Sequence, residues 1–293
     1  MKSILLAAAI LLPVVATAQE AASNEILPFS RISGDPVSVA MGYTGRAAVS
    51  QVSFAAFRNA AAVPRFNGTA DLSASFQRWG RDDSALAFGG AARTGSFGFA
   101  AGVLSLTGTS VDGFTPSDLS AGGGVGVALG SVVSAGVDVR YLSSRLASDE
   151  TLSTMAFDAM LMASFSDVHV TAGVANIGSV SSGDTSYGIP ASVAAAVDYA
   201  RRFGDYGVRG DADLDYYLHS GAVTVGLGGE LGYQDLVFVR AGYHLASKDV
   251  AALPSFLTAG VGVQYRGIRL DVAWLGANRE IGSTVIAGLG YRF

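Results

Sequence analysis

The chain has no cysteine among its 293 residues, which excludes a disulfide-stapled domain and a cysteine zinc site. Charge is scarce too: Asp, Glu, Lys and Arg make up 15% of the residues, against roughly 25% in an average soluble domain. With 50% hydrophobic residues, that scarcity excludes a disordered chain, which is rich in charge and poor in apolar groups. A net charge of −5 and a pI near 5.1 argue against nucleic acid as a partner, because such proteins show a basic surface. Beyond the N-terminus no stretch reaches the ~20 uncharged apolar residues of a membrane-spanning helix. Mean hydropathy is nevertheless +0.39, so the apolar residues must be dispersed along the chain. Dispersed apolarity of this kind points to a β-barrel in a membrane.

The N-terminus reads as an export signal. Met1-Lys2-Ser3 is a short basic start, Ile4 to Val15 is apolar with Pro13 inside it, and Ala16-Thr17-Ala18 offers small residues at a cleavage site. No cysteine follows, so a lipoprotein anchor is excluded. Residues 1–18 are assigned as signal peptide, 19–66 as an N-terminal plug segment and 67–293 as the barrel.

Along the barrel region, segments of ten to fourteen residues alternate with period two and end in turn residues. In the last of them Val285, Ala287, Leu289, Tyr291 and Phe293 share one face, opposite Ile286, Gly288, Gly290 and Arg292. Leu257, Ala259, Val261, Val263 and Tyr265 likewise alternate with small or polar residues, as do Ile268, Leu270, Val272 and Trp274 with Arg269, Asp271 and Ala273. One wall is apolar and the other is charged or glycine-rich, as expected of a barrel with lipid outside and a polar lumen. In lipid such a sheet must close, since an open edge would leave backbone groups unsatisfied. About fourteen segments follow residue 67, with the longest connections expected at 109–118, 147–153 and 180–188. The tyrosines and tryptophans, from Tyr43 through Trp79 and Tyr265 to Tyr291, fall mostly toward segment ends, where aromatic girdles meet the headgroups. Outer-membrane lipid is therefore an expected partner. The C-terminal Leu289, Tyr291 and Phe293 are similar to the terminal-strand signal of barrel assembly.

Catalytic signals are weak. His169, His219 and His244 are scattered, and neither a Ser/His/Asp arrangement nor metal-ligand spacing appears, so the expectation is a non-enzyme without cofactor or metal. Asp211, Asp213 and Asp215 put three carboxylates on one strand face. Closely spaced carboxylates attract Ca²⁺, but period-two spacing spreads them over ~13 Å. The preferred reading is an acidic ladder facing the lumen, neutralised by Arg209, Arg240, Arg269 or Arg292. Asp71, Asp138, Arg140, Asp158, Asp198, Glu230 and Asp271 add to a mixed-sign interior suited to holding a plug. The glycine runs at Gly122–Gly126 and Gly226–Gly229 lack the following Lys-Ser/Thr of a phosphate loop. They suggest close approach of another backbone.

Residues 27–64 break the alternation. They carry Leu27-Pro28-Phe29, then Asp35-Pro36-Val37-Ser38-Val39-Ala40-Met41-Gly42-Tyr43, then Phe57-Arg58-Asn59-Ala60-Ala61. With Asn176-Ile177-Gly178 before Ile189-Pro190, Arg240-Ala241-Gly242-Tyr243, and Gly260-Val261-Gly262 before Leu270-Asp271, this order resembles the PorV/PorQ family of Bacteroidetes, a branch of the FadL-like outer-membrane barrels. The resemblance implies fourteen strands, an outer-membrane location and residues 25–65 lying in the lumen as a hatch, with Met41, Gly42, Arg58 and Asn59 as hatch positions. It further implies an accessory subunit of a larger outer-membrane complex, with a type IX secretion translocon as partner; a related expectation is an accessory barrel beside another machine, with barrel-assembly subunits as partners. The alternative is a FadL-like channel for hydrophobic small molecules, which requires an apolar lumenal pocket and a displaceable hatch.

Overall fold

The computed structural model describes residues 25–79, 83–182, 185–247, 253–276 and 283–293. The signal-peptide reading of residues 1–18 lies outside them. Fourteen antiparallel strands close into a barrel. They are β1 (Ala70–Trp79), β2 (Asp83–Thr94), β3 (Phe97–Thr107), β4 (Ser117–Leu129), β5 (Val133–Arg145), β6 (Thr151–Phe165), β7 (Val168–Ile177), β10 (Ser192–Phe203), β11 (Tyr206–Tyr217), β12 (Val223–Tyr233), β13 (Val237–Ala246), β14 (Phe256–Tyr265), β15 (Ile268–Leu275) and β16 (Thr284–Arg292). The short strands β8 (Ser179–Ser182) and β9 (Thr185–Gly188) form a separate hairpin between β7 and β10. The expected loop at 180–188 is thus a hairpin, too short for its four-residue strands to show alternation in the sequence.

Closure joins β1 to β16, with Leu72 opposite Tyr291 and Ala74 opposite Leu289. The Phe293 amide donates to the Ala70 carbonyl at 2.9 Å and the Thr69 amide to the Phe293 carbonyl at 3.0 Å, so the last residue seals the seam. Alternation sets the two walls as expected. Leu270 is 55% exposed and its neighbours Arg269 and Asp271 are each 4% exposed. This outward apolar belt, with every strand paired on both sides, is the arrangement that spans lipid. One rim carries tight turns at Gly95, Gly130, Gly204, Gln234–Asp235 and Arg266–Gly267, all with positive φ. The other rim carries the longer connections. Short turns face the periplasm in outer-membrane barrels.

The buried apolar groups lie inside the barrel, between its wall and residues 25–66. Leu27, Phe29 and Phe54 pack with Ala87, Leu104, Leu142 and Ile189. Val39 and Ala40 pack with Phe256, Ala273 and Ile286. Val52, Ala61, Val63 and Phe66 pack with Ala100, Met160 and Met162. Locally, Pro36 starts the one-turn helix α1 (Pro36–Ala40), and the Asp35 side chain caps it by accepting the Val37 amide at 3.0 Å. Asn59 caps the 3-10 turn at Ala60–Arg65 in the same way, accepting the Ala61 amide at 2.9 Å.

Candidate functional site

The lumen is filled by a segment that descends from the long-loop rim to the tight-turn rim. It begins where the Ile26 amide donates to the Gly188 carbonyl at 3.0 Å. It ends where Arg65 donates to the carbonyl of Ser131 at 2.8 Å, in the turn before β5. In between, wall glycines let its backbone come close. A Cβ on Gly126 would lie 2.1 Å from the Ala60 carbonyl oxygen, and one on Gly136 would lie 2.2 Å from the Ala61 nitrogen. On the opposite wall a Cβ on Gly242 would lie 2.2 Å from the Gly42 nitrogen, and one on Gly228 would lie 2.4 Å from the Met41 oxygen. The lumen-facing glycines of the runs, Gly126, Gly226 and Gly228, are therefore backbone contact surfaces.

The four hatch positions all sit in this lumenal segment. Met41 is fully buried. Gly42, at φ 74°, takes a left-handed conformation that a side chain would strain, and its amide donates to Thr258 Oγ1 at 3.0 Å. Thr258 Oγ1 in turn donates to the Ala40 carbonyl at 2.9 Å. Arg58 pairs with Asp35 and donates to the Thr44 carbonyl at 3.0 Å. Asn59 Nδ2 donates to the Arg46 carbonyl at 2.8 Å and to Thr171 Oγ1 at 3.3 Å.

Of the four arginines expected to neutralise the acidic ladder, Arg209 does so, and Arg46 of the lumenal segment joins it. Arg209, on the same strand, pairs with Asp211 and also with Asp198 at 2.7 Å. Arg46 of the lumenal segment pairs with Asp215 at 3.0 Å, and the Gly45 and Arg46 amides donate to Asp213 at 3.3 and 3.1 Å. Burial opposes the charge of Arg46, but Asp215 and Asp213 hold its pKa above the ordinary value. Arg240 serves Glu230 and Asp271, Arg269 serves Asp71 and Asp271, and Arg292 donates to the Ser50 carbonyl. None of these last three reaches the ladder, because strand register places each beside other carboxylates. No group of three or more His, Asp or Glu among the described residues could hold a metal. Tyr43 also departs from its expected place. It lies in the lumen, where burial pushes its hydroxyl pKa up to about 12, rather than in a girdle.

Above α1, toward the long-loop rim, an internal cavity of about 100 Å³ separates the lumenal segment from the wall. Its apolar lining includes Phe29, Phe54, Phe57, Leu104 and Leu253; its polar lining includes Arg46, Ser120, Arg140, Asp158 and His244. The cavity reaches the wall at a bulge. The β6–β7 register shifts between Phe157 and Ala159, and Asn176 adopts φ 56°. There the Asp158 carboxylate accepts the Asn176 amide at 2.6 Å and pairs with Arg140 at 3.1 Å, which replaces the missing ladder bonds. Sequence reasoning placed Asp158 and Arg140 in the lumen but gave no sign of the bulge or of His244. An Asn before Ile-Gly was the available signal, since Asn tolerates left-handed backbone.

Of the C-terminal residues, Leu289, Tyr291 and Phe293 all point outward, and the rings of Tyr291 and Phe293 meet edge to face at 4.6 Å.

No family model matches the chain, and no curated protein matches it. Solved structures do. The toluene transporter TodX of Pseudomonas putida superposes with a TM-score of 0.63 at 13% identity, covering 89% of this chain and 98% of its own. The monoaromatic hydrocarbon channel CymD gives 0.61 at 13% identity, covering 88% and 96%. A Pseudomonas aeruginosa FadL homologue gives 0.56 at 10% identity, covering 88% and 96%. The fold is thus that of the FadL-like outer-membrane barrels. Nothing in these comparisons points to PorV/PorQ within that class.

Proposed function

We propose that the protein is an outer-membrane channel for small hydrophobic molecules, held closed by its own residues 25–66. The observation that carries this reading is the partly open cavity between that segment and the wall, part aromatic in lining and touching the barrel at the β6–β7 bulge. The neighbours described as hydrocarbon channels support it. Passage then requires displacement of the lumenal segment, whose seat is built from backbone contacts and ion pairs. The accessory-subunit reading rests on the spacing of the PorV/PorQ-like motifs alone.

The test is permeation of toluene into proteoliposomes containing the purified chain, alongside a mild-detergent pull-down from native outer membranes. Toluene flux above that of protein-free vesicles, from a protein that purifies alone, supports the channel. Absence of flux together with stoichiometric recovery of a secretion translocon or barrel-assembly subunit overturns it.

A further inference from the structure

The lumenal segment is joined to the barrel through a short link, Asn67-Gly68, on the tight-turn rim where β1 begins. Both ends of the link are fixed. On one side Phe66 is 1% exposed and packs in the lumenal core, with the Arg292 guanidinium over its ring at 5.3 Å. On the other, the Thr69 amide donates to the Phe293 carbonyl at 3.0 Å, and the Thr69 carbonyl accepts the Arg93 amide at 2.8 Å. The link itself is bare. Asn67 is exposed, Gly68 is half-buried, and neither belongs to a helix or strand. Neither backbone amide donates to a described residue, and the Asn67 side chain has no hydrogen-bond partner among them. Water therefore serves all of these groups.

Packing alone requires a glycine after Asn67, since a Cβ on Gly68 would lie 2.5 Å from Phe66 Cε1. The same missing Cβ has a chemical consequence. It leaves the Gly68 nitrogen unshielded beside the Asn67 carboxamide, at the spacing that closes a five-membered ring. Asn24, Asn59, Asn176 and Asn278 are followed instead by Glu, Ala, Ile and Arg, whose side chains hinder that approach. Asn59 and Asn176 are also buried, and their side-chain oxygens are held by the Ala61 amide and the Arg140 guanidinium.

We infer that Asn67-Gly68 is a site of self-modification, at which the folded chain converts its own asparagine to an acid. The Gly68 nitrogen loses its proton to hydroxide and attacks Asn67 Cγ. A new N–Cγ bond forms, the bond from Cγ to the side-chain nitrogen breaks, and that nitrogen leaves as ammonia after taking a proton from water. Water then opens the cyclic imide at either carbonyl. Opening at Cγ gives an aspartate; opening at the main-chain carbonyl gives an isoaspartate, whose backbone runs through the former side chain. The balance is one water consumed and one ammonia released, with no oxidant or cofactor. Either product puts a carboxylate on the rim, and isoaspartate lengthens the link between the lumenal segment and β1 by one carbon.

The experiment is peptide mass spectrometry on the detergent-solubilised full chain, incubated folded and, in parallel, unfolded in urea, at neutral and at mildly alkaline pH. Labelling with protein isoaspartyl methyltransferase marks the isoaspartyl form. In the folded chain the Asn67 peptide should be lost to its acid and isoaspartyl forms, at a rate that rises in proportion to hydroxide concentration. The Asn59 and Asn176 peptides should stay unchanged. Asn67→Gln, at an exposed position that tolerates the longer side chain, needs a larger ring and should abolish both products in that peptide. An Asn67 peptide that stays intact in the folded barrel while the unfolded chain converts overturns the inference, because the link is then held out of ring-closing geometry. Intact peptide in both states overturns it as well, and so does equal conversion of that peptide in Asn67→Gln.

Discussion

Asp71 at the start of β1 lies 3.1 Å from the guanidinium of Arg269 on β15, two strands away across the closing seam. The same carboxylate accepts the Val52 amide at 2.9 Å and the Ser53 amide at 3.1 Å. One buried side chain thus ties the lumenal segment to both strands flanking β16.

Removing it should be costly. Asp71→Ala strips Arg269 of a buried partner and orphans two amides, so a loss of about 3–5 kcal/mol is expected. Arg201 and Asp167 supply the contrast. They are 55% and 37% exposed and 3.6 Å apart, so Asp167→Ala should cost less than about 1 kcal/mol. Urea unfolding in lipid vesicles measures both. Similar losses for the two variants would contradict the assignment of Asp71 as an anchor.

Gly242 gives a second test of how the lumen is filled. A Cβ there would meet the Gly42 nitrogen and the Met41 carbonyl carbon at 2.2 and 2.3 Å, so Gly242→Ala must push the lumenal segment away from β13. Overpacking of this sort costs about 1–3 kcal/mol. The barrel should still resist SDS at room temperature, while the segment around Met41 becomes open to protease and single-channel conductance rises. Gly229, whose Cβ would meet nothing within 4 Å, is the control, and Gly229→Ala should leave all three readouts unchanged.

These contacts show where sequence reading stops. The outward placement of Leu289 and the inward placement of Arg269 follow from period two alone, because a strand has only two faces. The glycine runs at Gly126 and Gly228 were legible as places of backbone approach, because a strand interior otherwise disfavours glycine. The partners were not legible. Asp71 and Arg269 are 198 residues apart in sequence, and strand register through the closed ladder decides which arginine meets which carboxylate. His244 looked like one of three scattered histidines, but Phe256, its cross-strand partner on β14, and Tyr43, from the lumenal segment, lie against its ring. A bulge of one residue, as at Asn176, leaves no periodic trace in so short a strand.

Movement of the lumenal segment can be tested directly, since the chain has no native cysteine. A Cβ on Gly34 would lie 2.5 Å from the Ala87 Cβ on β2. Cysteines at both positions should form a disulfide after a displacement of about 1 Å, given the usual Cβ separation of roughly 3.5–4.5 Å. Oxidation of Gly34→Cys/Ala87→Cys should abolish toluene flux in proteoliposomes, and reductant should restore it. Equal flux in both states would show that this part of the segment stays in place during passage.

Phe293 combines two roles that can be separated. Its backbone closes the seam with Ala70 and Thr69, whereas its ring, 61% exposed, touches Tyr291 on the lipid side. Deleting the residue removes both seam bonds, while Phe293→Ala removes only the ring. If the ring is an assembly signal, Phe293→Ala should fold from urea into vesicles as well as wild type, yet reach the outer membrane in several-fold lower amount. The deletion should be impaired in both assays. Equal outer-membrane levels for Phe293→Ala and wild type would assign the terminal residue a closing role alone, exerted through its backbone.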